Sequence, residues 1–248
     1  MTAHDLHGRI AVVTGASSGI GAATARALTE RGARVALLAR RVDRISDLAK
    51  ELGGIAVPTD VTDAASVAAA AETIRHDLGR PDLLVVNAGV MLAAPFGTAD
   101  PGEWQQMIDT NVAGLITTSR AFVPDLVAAA EAGRPADLVH VGSIASRQQF
   151  PGYAVYSATK AAVLALTRAL RQEYGPQGVR VRVIEPGLTA SELGDTMLDP
   201  DARNFLADFR DQLTPIPAAD VAETIAWTTA APARMNIAEL TVLPTRQG

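Results

Sequence analysis

A short apolar run, a glycine-rich turn and a segment rich in alanine and leucine follow one another near the start of this 248-residue chain. The run is Ile10-Ala11-Val12-Val13 and the turn is Thr14-Gly15-Ala16-Ser17-Ser18-Gly19-Ile20-Gly21. A strand, a tight turn and a helix in this order leave free backbone N–H groups at the helix start, where they bind phosphate groups. We expect Gly15 to permit the turn, Gly19 to let the backbone approach a pyrophosphate, and Gly21 to let helix and strand pack closely. The alternative is a Gly/Ser-rich turn without a ligand, although the strand–turn–helix context favours a dinucleotide site.

Strand-like and helix-like segments alternate along the rest of the chain, which is typical of a parallel sheet covered on both faces. The expected fold class is α/β: a Rossmann-type doubly wound parallel sheet of seven strands with helices on both faces, in a single domain of residues 1–248. The predicted strands lie at about 9–14, 34–39, 55–59, 82–86, 137–142, 179–185 and 239–243. The predicted helices lie near 19–31, 42–52, 63–79, 101–131, 155–174 and 218–230.

A phenol, an ammonium group and a hydroxyl are grouped in the second half of the chain, in Tyr156, Lys160 and the upstream Ser143. In a helix, residues four apart share a face, so Tyr156 and Lys160 are expected to meet. A cation at about 4 Å favours phenolate by roughly 4 kcal/mol at an effective dielectric near 20, and we therefore expect Lys160 to lower the pKa of Tyr156. Such a phenol could act as an acid or base at neutral pH. Taken alone, the pair could also be an ordinary helix-interface tyrosine with a solvated lysine.

Together with the glycine turn, these residues resemble the short-chain dehydrogenase/reductase family, and the resemblance covers essentially the whole chain. Asp60-Val61 is similar to the family's adenine-contacting turn, Asn87-Ala88-Gly89 to the motif that closes its fourth strand, and Pro186-Gly187-Leu188-Thr189 to the turn that meets the nicotinamide. The resemblance implies that Asn111 interrupts its helix and helps to hold a water that relays protons to Lys160. The alternative for Asn111 is a polar residue tolerated in mid-helix.

The end of the second predicted strand bears on cofactor choice. Sites that prefer NAD usually carry a carboxylate there, about twenty residues beyond the glycine motif, to bind the ribose 2′-OH. Ala39 occupies this place and is followed by Arg40 and Arg41. We therefore predict NADP(H), with Arg40 the better candidate for the 2′-phosphate and Ser17 a second contact. The alternative is that both arginines point to solvent.

The substrate side is expected to be formed by residues that follow the fourth, fifth and sixth strands, and the segment 188–213 is expected to be a lid. An apolar inner face in this lid would include Leu198, with Glu192, Asp195, Asp199 and Asp201 outside, although ordinary packing explains such a stripe equally well. A mostly apolar pocket would suit a medium-sized ketone or aldehyde. The candidates are Met91, Leu92, Phe96, Ser143, Ile144, Ala145, Phe150, Leu188, Leu193, Met197, Phe205, Leu206 and Phe209.

These features predict an NADP(H)-dependent oxidoreductase that transfers hydride between nicotinamide and a carbonyl or alcohol, with Tyr156 as general acid or base. Segments such as 170–173, 184–187 and 243–247 are similar to clavulanate-type aldehyde reductases and to dehydrogenases of serine-like hydroxy acids. One alternative is an acyl-carrier-protein ketoreductase, for which Arg134 and Arg171 could provide a cationic entrance. Others are an NADP(H)-binding redox sensor or scaffold without turnover, and a sugar-nucleotide epimerase, which generally needs a larger C-terminal region.

Charge and composition limit the classes of binding partner that this chain is expected to have. A net charge of −5 argues against nucleic acid or an acidic membrane surface, and the start of the chain lacks the apolar core of a signal peptide, so a cytoplasmic protein is expected. No cysteine is present, and His4, His7, His76 and His140 show no metal-ligand spacing, so no metal is expected and His140 is interpreted as a packed core residue. The family resemblance implies a homo-oligomer, a dimer or a tetramer.

Overall fold

One seven-stranded parallel sheet organises the protein, in a computed structural model that describes residues 5–247. His4 and the two ends of the expected domain, 1–4 and 248, lie outside the described residues. The order of the strands is β3-β2-β1-β4-β5-β6-β9, and β7 and β8 form a separate two-stranded sheet. The strands are β1 (Ile10–Thr14), β2 (Arg34–Ala39), β3 (Ile55–Pro58), β4 (Leu83–Val86), β5 (Ala136–Val141), β6 (Val179–Pro186), β7 (Thr189–Ala190), β8 (Ile216–Pro217) and β9 (Glu239–Val242).

Helices cover both faces of the sheet, because each face is a continuous layer of buried Val, Leu, Ile and Ala side chains. One face packs against α1, α2 and α8, and the other against α3, α5 and α6. The helices are α1 (Gly19–Glu30), α2 (Val42–Leu52), α3 (Ala64–Asp77), α4 (Pro101–Ile108), α5 (Leu115–Glu131), α6 (Ala154–Tyr174), α7 (Pro200–Leu213) and α8 (Ala218–Thr229). This confirms the predicted α/β fold.

Local chemistry explains where several helices begin. The side chains of Asp63, Asp100 and Asp199 each accept a hydrogen bond from a backbone N–H in the first turn of α3, α4 and α7. Proline follows the aspartate in α4 and α7, where its missing N–H costs nothing. Gly53, at φ 63°, ends α2 in the left-handed conformation that glycine adopts readily.

Two parts of the fold go beyond the continuous elements predicted from the sequence. The helix predicted at 101–131 is interrupted by a π-helical turn, Asp109–Gly114, as the family resemblance implied for Asn111. The expected lid, 188–213, contains β7 and all of α7, and β7 pairs with β8 in a short sheet that was not predicted. Two-residue strands carry no periodic pattern that a sequence could reveal.

The amino ends of β1, β4, β5 and β6 meet around buried charges. Asp137 in β5 is fully buried and accepts hydrogen bonds from Arg9 (2.8 Å), Arg180 (2.8 Å) and Arg182 (2.5 Å). Arg9 also bonds Asp82, just before β4. Because four neighbouring strands contribute, the network ties together the edge of the sheet opposite their carboxyl ends.

The helical stretch Pro101–Glu131 is long and apolar enough, by length and composition alone, to cross a membrane, with a mean hydropathy of 1.2 in its best window. Half of that window is buried inside the protein. Within the stretch Pro101–Glu131, Asp125 is buried and accepts hydrogen bonds from Arg75. These features are those of a core helix that packs against a sheet.

Candidate active site

A cavity of about 710 Å³ lies at the carboxyl ends of the central strands. The strand order reverses between β1 and β4, and a crevice opens at such a switch point because the following helices lie on opposite faces. The glycine turn, the ends of β2, β4, β5 and β6, and α7 all contribute to its wall. Its size is within the range of cofactor and ligand sites.

The glycine turn is held against the end of β4. The Thr14 hydroxyl accepts hydrogen bonds from the N–H groups of Asn87 (3.0 Å) and Ala88 (3.1 Å), and Asn87 Nδ2 donates to Thr14 O (3.0 Å). Gly15 has φ 66°, and a β-carbon there would lie 2.8 Å from Asn87 Nδ2. A β-carbon at Gly21 would collide with the carbonyl oxygen of Gly15, so this glycine lets α1 lie close to the turn; its predicted role in helix–strand packing stays a prediction.

Cationic and hydroxyl groups line the cavity beside the start of α1. Arg41 donates from Nε to Ser17 Oγ (3.0 Å) and from Nη2 to Ser18 Oγ (2.6 Å). Its Nη1 bonds Glu192 (2.6 Å), which Arg44 also bonds (2.6 Å). Ser18 is the N-cap of α1 but makes no side-chain cap, so the first N–H groups of the helix face the cavity uncapped. This arrangement suits an anion.

The adenosine end of the predicted cofactor site contains Arg40, Asp60 and Val61, which all line the cavity. Asp60 Oδ1 accepts from the N–H (3.0 Å) and hydroxyl (2.7 Å) of Thr62. These two hydrogen bonds, with a smaller contribution from the charge of Arg40, lower the pKa of Asp60. Both arginines after β2 therefore lie on the cavity wall, and of the two it is Arg41 that contacts the glycine turn.

Tyr156, Lys160 and Ser143 come together on the cavity wall, as predicted. Lys160 Nζ lies 5.8 Å from the centroid of the Tyr156 ring and donates to Val141 O (3.1 Å). Ser143 follows β5, caps the short helical turn Ile144–Ser146, and accepts from the N–H of Ala145 (3.1 Å).

The expected lowering of the tyrosine pKa is wrong for this arrangement. Burial raises the pKa of Tyr156 to about 12, and the Ser143 hydroxyl only partly opposes it. Burial also lowers the pKa of Lys160 to about 8. Both groups are at most 7% exposed, and the ammonium points to a backbone carbonyl, so desolvation outweighs the attraction that the sequence suggested.

Asn111 sits in the π-helical turn between α4 and α5, so the predicted interruption of the helix is confirmed. Its Oδ1 accepts from Val90 N–H (2.8 Å), and its Nδ2 donates to Val90 O (2.9 Å) and to Thr159 Oγ1 (3.1 Å). Thr159 in turn donates to Tyr156 O (2.7 Å). Asn111 thus ties the end of β4 to α6, while its predicted water relay stays a prediction. Gly89 lies beside it, where a β-carbon would lie 3.2 Å from Asn111 Oδ1.

The turn after β6 is supported by the end of the chain. Leu188 N–H donates to Gln247 Oε1 (2.8 Å), and Gly187 leaves no room for a β-carbon beside the same side chain. Thr189 Oγ1 donates to Gly187 O (3.0 Å). Pro186, Gly187, Leu188 and Thr189 all line the cavity, as predicted.

Apolar and aromatic side chains form the remaining wall. Leu198 is 72% exposed and does not belong to the inner face, so that expectation is wrong; it precedes α7 in a loop and faces solvent. Phe96 is 65% exposed and stacks on Trp104, away from the cavity lining. Leu92 and Met197 are buried beside the cavity without lining it. The wall contains Met91, Ile144, Ala145, Phe150, Leu188, Leu193, Phe205, Leu206 and Phe209.

The wall also contains residues that the sequence analysis did not single out, among them Tyr153, Arg210 and Gln247. Glu192 and Asp195 were expected to face outward, but both line the cavity, and Glu192 bonds Arg41 and Arg44. In residues 5–247 no group of three or more His, Asp or Glu side chains could hold a metal. His140 is fully buried between Ser119 and Thr167, which confirms it as a core residue.

Known proteins are similar to this chain in sequence and in fold. The family model described as short chain dehydrogenase matches residues 9–201. The chain belongs to this family. Sulfoacetaldehyde reductase 2 of Chromohalobacter salexigens is 38% identical over 243 residues, which span 96% of this chain and 95% of the relative.

Solved structures of family members superpose closely. The closed form of serine dehydrogenase complexed with NADP+ is 32% identical, with a TM-score of 0.86 and 96% of each chain covered. The 3-ketoacyl-(acyl-carrier-protein) reductase of Brucella melitensis complexed with NADH is 28% identical, with a TM-score of 0.89, covering 98% of this chain and 100% of the other. The protein is therefore an oxidoreductase of this family, whose members bind nicotinamide cofactors.

Proposed function

We propose that this protein is an NADP(H)-dependent oxidoreductase that transfers hydride between nicotinamide and a carbonyl or alcohol substrate. The observation that carries the proposal is that Tyr156, Ser143 and Lys160 share one cavity with the glycine turn. The bound cofactor supplies or accepts the hydride. Side chains of this chain bind the substrate oxygen and move its proton.

Tyr156 is the proton donor in reduction. Its pKa of about 12 keeps the phenol protonated at neutral pH, which is the state a donor needs before transfer. Ser143 donates a second hydrogen bond to the substrate oxygen and stabilises negative charge as it forms. Lys160, with a pKa of about 8, is mostly protonated at neutral pH and stabilises the phenolate that remains after transfer.

NADP(H) is the preferred cofactor. Arg41 bridges the hydroxyls of Ser17 and Ser18, and Arg40 lies on the same wall, so a 2′-phosphate would meet two cations and two hydroxyl donors. The chain has Ala39 where a carboxylate would select NAD. The NADP+ complex of the serine dehydrogenase supports this preference, whereas the NADH complex of the ketoacyl reductase shows that the family uses both cofactors.

The substrate is a small carbonyl compound or the corresponding alcohol. Relatives are described as a reductase of sulfoacetaldehyde and a dehydrogenase of serine. Acyl-carrier-protein binding has less support, because neither arginine expected at the entrance is available. Arg134 bonds Asp82 at the opposite edge of the sheet, and Arg171 bonds the backbone of Val181 and Ala238.

The test is NADPH oxidation with aldehydes, ketones and β-keto esters, and alcohol oxidation in reverse, for the parent and Tyr156→Phe. We expect turnover with the parent and a loss of about 10³-fold or more in the variant, because general acid catalysis alone is worth about 10²–10⁴-fold. NADPH affinity should stay within about 2-fold, because a single hydroxyl is removed. Turnover retained by Tyr156→Phe would refute the role of the phenol. Tight NADPH binding without any turnover would favour the alternative of an NADP(H)-binding redox sensor or scaffold.

We also propose that the protein forms a homo-oligomer through the outer faces of α4 and α5. Ile108 and Ile116, at these faces, are 42% and 45% exposed. Light scattering of the parent and of Ile116→Asp tests this proposal: a charge at a buried interface should shift the mass toward the monomer. A parent that is monomeric at micromolar concentration would contradict it.

A further inference from the structure

The substrate side of the cavity contains one buried polar atom without a partner. Tyr153 begins α6, is only 6% exposed, and its hydroxyl makes no hydrogen bond within the protein. Other described residues have buried unpartnered polar atoms, but Tyr153 is the one among them that lines the cavity. A buried hydroxyl without a partner is unfavourable, so its position on a cavity wall points to a ligand that satisfies it.

Aromatic rings fix the direction of this hydroxyl. The Tyr153 ring packs against Phe150 (6.2 Å between centroids), Phe205 (6.0 Å) and Tyr156 (6.4 Å). Rings this close restrict rotation of the side chain, and they offer no hydrogen-bond acceptor of ordinary strength. The Tyr153 phenol is therefore held beside the phenol of Tyr156, and a group that bonds it would belong to a molecule whose carbonyl lies at Tyr156.

Arg210 of α7 supplies a positive charge to the same part of the wall. Its Nη2 donates to the backbone oxygens of Ser191 (3.2 Å) and Leu193 (3.1 Å), which hold the guanidinium in place without neutralising it. Arg210 Nη1 also forms a salt bridge with Asp195 (3.4 Å), another residue of the cavity wall. This distance is longer than that of a normal charge-assisted hydrogen bond, and the carboxylate is 54% exposed, so solvent screens the pair. The charge of Arg210 reaches the Tyr153 phenol, whose pKa is raised by burial and lowered in part by Arg210.

The remaining cations on the cavity wall are used elsewhere. Lys160 points to Val141 O beside the proton donor, and Arg41 is bonded to the serines of the glycine turn. Arg40 stands at the adenosine end, near Asp60. Among the described residues of the cavity wall, Arg210 is therefore the cation that faces the substrate side. Arg210 and the Tyr153 hydroxyl can both donate hydrogen bonds to a substrate group that has only acceptors.

We propose that Tyr153 and Arg210 bind an acidic group of the substrate, so that the protein reduces short-chain carbonyl compounds that carry a carboxylate or a sulfonate a few bonds from the carbonyl. The inference rests on the proposed function. A carboxylate or sulfonate oxygen accepts from both donors, whereas an alkyl group leaves both unsatisfied and an ammonium group is repelled by Arg210. A polar site of this kind rejects an analogue that lacks the polar group more strongly than an apolar site rejects one with an extra methylene.

The test is kcat/KM with NADPH for four aldehydes of similar length: succinate semialdehyde, sulfoacetaldehyde, neutral butanal and cationic betaine aldehyde. We expect the parent to prefer one or both acids over butanal by about 10-fold or more, and betaine aldehyde to be the poorest. The better of the two acids identifies the group that the site recognises.

Two variants assign the preference to the residues. Tyr153→Phe and Arg210→Gln should lower kcat/KM for the preferred acid by about 10-fold or more, mainly through KM, and should lower it less for butanal, which has no acidic group for these donors. Arg210→Lys should restore part of the loss because it keeps the charge. The matched controls are Tyr174→Phe at the end of α6 and Arg203→Gln on the exposed side of α7, neither of which lines the cavity.

Butanal turned over as well as both acids by the parent, or equal losses for butanal and the acid in the variants, would overturn the inference and leave the reductase function intact. If none of the four aldehydes is reduced, ligand binding tests the recognition of the acidic group separately from turnover. Isethionate and succinate should bind the NADP+-loaded parent in calorimetry and lose affinity in Arg210→Gln. Equal binding of 1-propanol and these acids would overturn the inference.

Discussion

The Glu192 carboxylate bonds Arg41, the arginine that we propose binds the 2′-phosphate of the cofactor, so its removal should change cofactor selectivity. Glu192 bonds Arg41 (2.6 Å) and Arg44 (2.6 Å), while Arg41 also holds Ser17 and Ser18 of the glycine turn. A 2′-phosphate bound by Arg41 would have to compete with this carboxylate and would be repelled by its charge. NADH carries no charge at that position, so we expect the effect to be confined to NADPH.

The size of the effect follows from the exposure of the pairs. Hydrogen bonds from Arg41 and then Arg44 lower the pKa of Glu192 to about 2. The carboxylate is 47% exposed, so solvent screens it, and exposed pairs of this kind contribute about 0.2–1 kcal/mol each. Two such pairs amount to about 0.5–2 kcal/mol, and Glu192→Gln should therefore tighten NADPH binding by about 2- to 30-fold.

The assay is a titration of NADPH and NADH into the parent and Glu192→Gln, followed by nicotinamide fluorescence at low and high salt. The gain for NADPH should shrink at about 1 M salt, where charges are screened within about 3 Å. The control is Glu223→Gln, which removes a 52% exposed carboxylate paired with Arg31 (2.6 Å) outside the cavity. An unchanged ratio of NADPH to NADH affinity, or weaker NADPH binding, would refute the competition.

Three further predictions concern titration and stability. The reduction rate should fall as pH rises through about 8, where Lys160 loses the charge that stabilises the phenolate, and a pH profile of kcat without an inflection near there would contradict this role. Burial lowers the pKa of His140 to about 3, so the unfolded chain binds a proton that the folded one refuses as pH falls below about 6.5. As the pH falls from 6.5 to 5, the free energy of unfolding measured with urea should decrease in the parent by up to about 1.4 kcal/mol per pH unit more than in His140→Val. Burial alone would raise the pKa of Asp137, but the surrounding arginines outweigh it and lower that pKa. Asp137→Asn leaves Arg180 and Arg182 without a carboxylate partner and should cost about 3–5 kcal/mol in the free energy of unfolding. A loss below about 1 kcal/mol would show that backbone carbonyls alone satisfy the arginines.

Much of the fold could be predicted because its signals are local. Strands such as β1, β2 and β4 consist mostly of Val, Leu, Ile and Ala, and the glycine turn lies directly after β1. The π-helical turn is different: its residue Asn111 bonds Val90 and Thr159, which lie in other parts of the chain. Only a family resemblance could suggest that interruption.

The contacts that were missed join residues far apart in the chain. Glu192 meets Arg41 across 151 positions, and Gln247 meets Leu188 across 59. Neither the charge pattern of the sequence nor the spacing of its residues predicts contacts between such distant positions. Glu192 was therefore expected to face solvent. The prediction of the Tyr156 pKa was wrong for a related reason. Helical spacing indicates how close Tyr156 and Lys160 lie, whereas their burial depends on all the residues packed around them.

The two edges of the sheet use polar groups in opposite ways. At the amino edge, the carboxylates of Asp137 and Asp82 accept from arginines, and Arg180 and Arg182 donate to the last carbonyls of α8 as well. At the carboxyl edge, the cavity exposes helix N–H groups without a cap and the unpartnered hydroxyl of Tyr153. Among the described residues of the amino edge, only the Nε atoms of Arg180 and Arg182 lack a partner, and they are buried away from the cavity; at the carboxyl edge the open groups lie on the cavity wall, where a ligand can pair them. This contrast supports placing both cofactor and substrate at the carboxyl edge, and it predicts that ligands should raise the thermal stability of the protein.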